Sequence, residues 1–108
     1  MPRLLVYLLL AALVPVCAWS SELQRALEPL MQGEFALQEG RLSAAADAYA
    51  RAADESTDPE IAERAAQVAL LAKDAVLARR ALARWEVLAP QDENASVGRL
   101  RLALLESD

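Results

Sequence analysis

Seven of the eleven residues from Ser43 to Ala53 are alanine. Alanine neither branches at Cβ nor fills a pleated face, so such a run is a poor strand. It is the best of helices, because the methyl side chain gives up no rotamer freedom there. The same bias extends along the chain: Ala, Leu, Glu, Gln and Arg dominate, and only 3 glycines interrupt them. Beyond the apolar start, β-branched and aromatic residues never cluster in alternating runs, and no strand is expected. The class predicted is all-α, and 108 residues allow one domain at most.

Punctuation divides the chain into helices. Pro29 suits a first turn, where its missing N–H costs little, which predicts a helix from about Glu28 to Gln38 closed by Gly40. Ser43 reads as the N-cap of a second helix to about Ala53, with Ala45, Tyr49 and Ala52 sharing one face. Asp58 caps and Pro59 opens a third, to Ala72, with an apolar stripe of Ala62, Ala66, Ala69 and Leu70. A fourth runs from Asp74 to about Leu88, with Ala78, Leu82, Trp85 and Leu88 on one face, and a fifth covers Ala95 to Leu105. The plan is short helix, tight turn, short helix, twice over and then one more. Pro59 and Pro90 bracket one such pair, and the interval between them is of the size that points to a stacked helical solenoid.

Residues 1–20 are of another kind. Arg3 precedes an unbroken apolar run, Leu4 to Val14; Pro15 breaks it, and small residues follow at Ala18, Ser20 and Ser21. Charged start, apolar middle and small-residue exit predict a secretory signal peptide. The run is short of the roughly 20 residues that a span requires, although an uncleaved anchor over Leu4–Trp19 is an alternative. Residues 21–27 read as a linker, in part helical as an alternative, and 28–105 as the folded domain. Val14-Pro15-Val16-Cys17 is weakly similar to a lipobox, with Val16 where Gly, Ala or Ser usually stands; acyl chains on Cys17 would hold the protein on a membrane face. If Cys17 is removed with the leader, no thiol chemistry, disulfide or Cys-based metal site is possible. Without Arg3, 10 basic residues face 16 acidic ones, net −6, which argues against a nucleic-acid partner.

The segment Gly33 to Ala52 resembles a tetratricopeptide repeat, which wants a small residue in its first helix (Gly33) and a turn glycine seven later (Gly40). On the second helix it wants a small–aromatic–small series, supplied by Ala45, Tyr49 and Ala52. In a second unit Ala66, Ala69, Ala78 and Pro90 fall in register and Leu82 takes the aromatic place. There Lys73 stands at the turn glycine and Trp85 replaces a small residue. The third unit supplies its first helix alone. The likeness covers about 27 to 105 and implies a short α-solenoid of about two and a half antiparallel helix pairs. Asp58 to Ala65, behind a signal peptide, is also similar to tetratricopeptide proteins of the bacterial envelope. Those are often lipoproteins, and some scaffold periplasmic proteases. The implied role is non-catalytic: an exported adaptor holding another protein, a periplasmic protease or envelope assembly component, in the periplasm or on a membrane through lipidated Cys17.

The residues support no catalytic constellation. Histidine is absent, the mature serines have no base in a helical plan, and the three glycines are isolated, so no phosphate loop forms. Carboxylate pairs at Asp54-Glu55 and Asp92-Glu93 read as helix-end residues, Tyr49 and Trp85 as core, and Arg79, Arg80 and Arg84 as a solvated face. No cofactor or metal is expected. The repeat resemblance implies that the first helix of each unit lines a concave groove. It puts Glu34, Gln67 and Arg101 at equivalent places there, with Gln38 and Glu63 beside them as i, i+4 partners. Such a groove would suit an extended or helical peptide with basic character; ordinary solvated surface is the plain alternative. Two and a half units fall short of the roughly three that a stack needs, and the last stretch is apolar on more than one side. A structural fragment stable only within an assembly is therefore the second functional class.

Overall fold

The computed structural model describes residues 24–107, all-helical and without strands among them. The expected leader, with Cys17, and the first part of the expected linker lie outside the described residues. Five helices follow one another: α1 (24–38), α2 (Leu42–Glu55), α3 (Pro59–Leu71), α4 (Ala75–Leu88) and α5 (Asn94–Glu106). The connections are three to five residues long, so each helix turns back antiparallel on the last. α3 packs between α2 and α4, α5 packs on α4 and α3, and α2 also touches α4. No helix among the described residues is long and apolar enough to cross a membrane.

Several boundaries differ from the sequence expectation. α1 is already helical at Gln24, so the described part of the expected linker, 24–27, is helical and continuous with α1, and Pro29 lies inside the helix. There the missing N–H leaves the Arg25 carbonyl without its i+4 donor, while the ring is buried. Ser43 does not cap α2. The helix starts at Leu42 with Arg41 in the cap position and no side-chain bond to the first turn. Arg41 is already committed: its N–H bonds Ala36 O at 2.9 Å and its carbonyl accepts from Ala45 N at 3.0 Å. Turn and helix thus join directly, which draws Ser43 inside the first turn. The Asp58 cap forms as expected, its Oδ1 accepting from Glu60 N at 2.9 Å, and Asp74 Oδ1 caps α4 through Leu77 N at 3.0 Å.

The α1–α2 and α3–α4 turns are the same motif. Gly40 has φ +74°, and Lys73, at the matching place in the second helix pair, has φ +58°. Around Gly40 the amides of Gly40 and Arg41 reach Leu37 O and Ala36 O; around Lys73 those of Lys73 and Asp74 reach Leu70 O and Ala69 O. Both are Schellman closures. The replacement of glycine by lysine leaves the turn intact and loads it with left-handed strain.

The core is built largely from alanine, and Tyr49 and Leu82 are its largest fully buried side chains. Its pattern recurs at the same interval as the turns: Ala45 and Ala78, Tyr49 and Leu82, Ala62 and Ala95, Ala69 and Leu102 are all buried. Methyl side chains let helix axes approach closely, and a few large residues, Tyr49 in the first pair and Leu82 and Trp85 in the second, fill the space left. Ala65 and Val68 extend the buried surface of α3 beyond the expected stripe, because the helix is covered on two sides. Gly33 and Gly98 mark the closest approaches: a Cβ on either would stand 2.9 Å from Tyr49 Cδ2 or 2.6 Å from Leu82 Cδ2.

The two turns make a paired prediction. Lys73→Gly relieves the left-handed strain and raises stability by about 0.5–1 kcal/mol, while Gly40→Ala, with open space around it, lowers it by a similar amount. Urea unfolding of both variants checks this; equal midpoints for Lys73→Gly and the parent would contradict it.

Candidate groove between α3 and α5

α3 and α5 lie side by side against α4 and leave a cleft between them. Its first part, about 260 Å³, has Trp85 of α4 in its lining, with Glu63, Gln67 and Leu70 on the α3 side and Val97 and Arg101 on the α5 side. A second part, about 420 Å³, continues toward the C-terminal ends of both helices. Leu71, Leu104 and Leu105 make it mostly apolar, and Lys73 and Arg101 bring two cations. Gln67, Leu70 and Arg101 line both parts, so the groove is continuous.

Three of the five expected binding residues meet here: Glu63, Gln67 and Arg101. Glu63 and Gln67 form the expected i, i+4 pair, Gln67 Nε2 donating to Glu63 Oε1 at 3.5 Å. Glu34 is elsewhere. Its carboxylate accepts from the Tyr49 hydroxyl and lies 4.0 Å from Arg64 Nη2, which ties α1, α2 and α3 together. Gln38 is exposed at the end of α1, lines neither part of the groove, and is not bonded to Glu34. On the step set by the buried positions, which the third unit keeps, Leu100 rather than Arg101 is the counterpart of Glu34 and Gln67, so the expected equivalence of Arg101 is off by one residue.

The sequence reading missed the apolar part. Leu71 and Leu104, which line it, are 61% and 62% exposed; Val97 of the first part is 49% exposed, and Leu100, 63% exposed, lines neither part. Leu71 and Leu104 are separated by that same step, a recurrence visible in the chain, but only the packing shows that neither is covered. Lys73 and Arg101 form no ion pair with a carboxylate of the described residues, so two cations border the apolar end, while Glu63 lines the first part.

Other polar groups hold the walls in place. The Trp85 indole N–H donates to Asp92 Oδ2 at 3.0 Å, and Asp92 Oδ1 accepts from Asn94 N at 3.0 Å, so one carboxylate fixes the floor and holds the first amide of α5, whose cap position, Glu93, makes no side-chain bond to the helix. Trp85 is buried, as core rather than as a stacking platform. The arginines expected on a solvated face are tethers: Arg80 pairs with Asp54, Arg79 with Glu106, and Arg84 donates to Ala53 O at 3.3 Å and Ser56 O at 2.9 Å. Arg80 and Arg84 thereby offset the acidic C-terminal end of α2, where a negative charge opposes the helix dipole. Among the described residues no three His, Cys, Asp or Glu side chains are grouped to hold a metal ion.

Burial and the neighbouring Glu34 carboxylate push the Tyr49 phenol above its ordinary value; Arg64, whose guanidinium carbon is 5.7 Å from the ring centroid, opposes them less strongly. The protonated phenol is therefore favoured by folding. Its contribution is complete below about pH 10 and is lost as pH climbs through the folded value. Thermal unfolding followed from neutral to alkaline pH tests this: the alkaline decline should flatten in Tyr49→Phe, and identical slopes would refute it. Asp92→Ala removes the bond to Asn94 N and orphans the indole N–H together, and should cost about 2 kcal/mol by denaturant unfolding.

Compared with protein-family models, with curated proteins and with solved structures, the chain matches none.

Proposed function

We propose that this protein is a short, non-catalytic module of tetratricopeptide type that holds a segment of another protein in the groove between α3 and α5. The observation that carries the reading is the row of uncovered aliphatic residues, Leu71, Val97 and Leu104, beside the polar side chains of Gln67 and Arg101. Exposed apolar surface at a concave seam lowers solubility, and its usual role is recognition. The repeat reading is supported by the two Schellman turns at Gly40 and Lys73 and by buried positions recurring at the interval between them. The leader in residues 1–20 supports export to a bacterial envelope, with a periplasmic protease or assembly component as partner.

A structural piece of a larger assembly is the second reading. Leu27, Met31 and Phe35, four apart along α1, favour it, because each is about half exposed.

Selection of displayed peptides against the purified protein tests the first reading. Enriched peptides should carry aliphatic anchors next to acidic residues, and Leu71→Asp or Leu104→Asp should weaken them at least tenfold with the fold unchanged. Peptides that bind both variants as tightly as the parent would place recognition outside the groove. Cell fractionation tests the address. Release by osmotic shock fits the periplasmic form, membrane retention lost in Cys17→Ala fits the lipoprotein, and a cytoplasmic chain would refute both.

A further inference from the structure

Charge is unevenly placed along the α3–α5 groove. Glu63 lines the first part alone, Lys73 lines the apolar second part alone, and Arg101 borders both. None of the three belongs to an ion pair among the described residues. Glu63 accepts instead from the neutral Gln67 amide, at 3.5 Å. The groove thus has an acidic end and a cationic end, joined by the aliphatic side chains of Val97, Leu70, Leu71 and Leu104.

We infer that the groove receives an amphipathic helix of a partner protein, laid antiparallel to α3 and α5. Carboxylates in the first turn of that helix meet Lys73 and Arg101, and a cation in its last turn meets Glu63. The inference rests on the reading of the groove as a binding site and names the shape, direction and charge of its occupant.

The spacing of the walls fits a helix. Val97 and Leu104 line one wall seven residues apart, which is two turns or about 10 Å. Glu63 and Leu70 repeat that separation on the other wall. A guest helix presents its own apolar side chains at the same interval along one face, the usual pattern of a helix held in a groove. From Glu63 to Lys73 the groove runs about 15 Å, the length of about three turns.

The direction follows from the helix dipoles. α3 and α5 each run antiparallel to α4 and so parallel to each other, and the C-terminal ends of both lie at the apolar part. Their partial negative charges favour the N-terminus of a guest there. Acidic residues in a first turn and basic ones in a last turn also steady the guest helix itself. One arrangement therefore satisfies the guest and the groove together. Lys73 adds an independent observation: it holds φ +58° in a turn whose counterpart is Gly40. A strained backbone at a lysine that lines the cationic end is what a binding role for its charge predicts.

A synthetic helix of about four turns, with Asp and Glu in its first turn, leucines along one face and lysines in its last turn, tests the inference. Titrated into the full chain and followed by fluorescence anisotropy, it should bind and gain helical content. Lys73→Gln and Arg101→Gln, both at exposed positions, should each weaken it about threefold with thermal stability near the parent's. Those losses should vanish for a peptide whose first-turn acids are replaced by Asn and Gln. Glu63→Gln should weaken only peptides that keep the last-turn lysines. High salt should weaken the matched pair. Such couplings fix the direction, because each end of the peptide responds to one end of the groove. A matched peptide that fails to bind, binds without gaining helix, or shows no coupling of its acids to Lys73 and Arg101 overturns the inference. If the couplings are absent while Leu104→Asp still abolishes binding, the direction and charge fall and the groove reading stands. Binding that Leu104→Asp leaves unchanged overturns the inference and counts against the groove itself.

Discussion

The close approach of helices through alanine is the constraint from which the rest of the architecture follows. A methyl side chain buries little apolar area, so an alanine interface gains less per residue than a leucine interface. What it supplies is proximity: with Ala45, Ala52, Ala62, Ala66 and Ala69 on the contact faces, the backbones come near enough for dispersion contacts along their length. The space that remains is filled by a few large side chains, Tyr49 in the first helix pair and Leu82 and Trp85 in the second. Gly33 and Gly98 are where a neighbouring helix meets Tyr49 and Leu82, and neither place has room for a Cβ.

A core so thin in large side chains relies on polar ties at its edges. Asp58 and Asp74 anchor the starts of α3 and α4, and Asp92 anchors both the start of α5 and the Trp85 indole. Arg80 and Arg84 reach from α4 to the end of α2, and Arg99 Nε reaches Glu86 at 2.8 Å to hold α5 against α4. Most of these pairs are half exposed, and each alone adds little. Their value is geometric, since together they set how far α4 and α5 rotate and hence which residues of α5 face α3.

That rotation produces the groove. Val97, Leu100 and Leu104 would be ordinary core residues on a helix buried on all sides; here α5 is turned so that Ala95, Gly98 and Leu102 face the core and the larger aliphatics do not. The arrangement buries small residues and leaves large ones at the surface, the reverse of what folding alone favours. Lys73 fits the same picture. It takes a left-handed conformation that glycine would adopt without strain, and its side chain lines the apolar end of the groove.

How much was legible beforehand depends on the range of the interaction. Helix propensity, Asp58-Pro59 and the Asp74 restart are local signals, read within a few residues, and the chain alone determined an all-α fold with its main breaks nearly in place. Pro29 and Ser43 misled because a local preference, first turn or cap, was overridden by packing of α1 on α2 and by a turn that runs straight into its helix. Tyr49 and Trp85 were readable as core from spacing, but their partners Glu34 and Asp92 were not, because a bond between distant helix positions leaves no periodic trace. The chain likewise determined that α5 is apolar on more than one face, and that Glu63 and Gln67 share a side. Only the tertiary structure decided which face of α5 is covered, that Glu34 leaves the groove for Tyr49, and that Lys73 and Arg101 meet at its apolar end. Those outcomes depend on the rotation of one helix against another, which is set by the sum of many weak contacts rather than by any one residue.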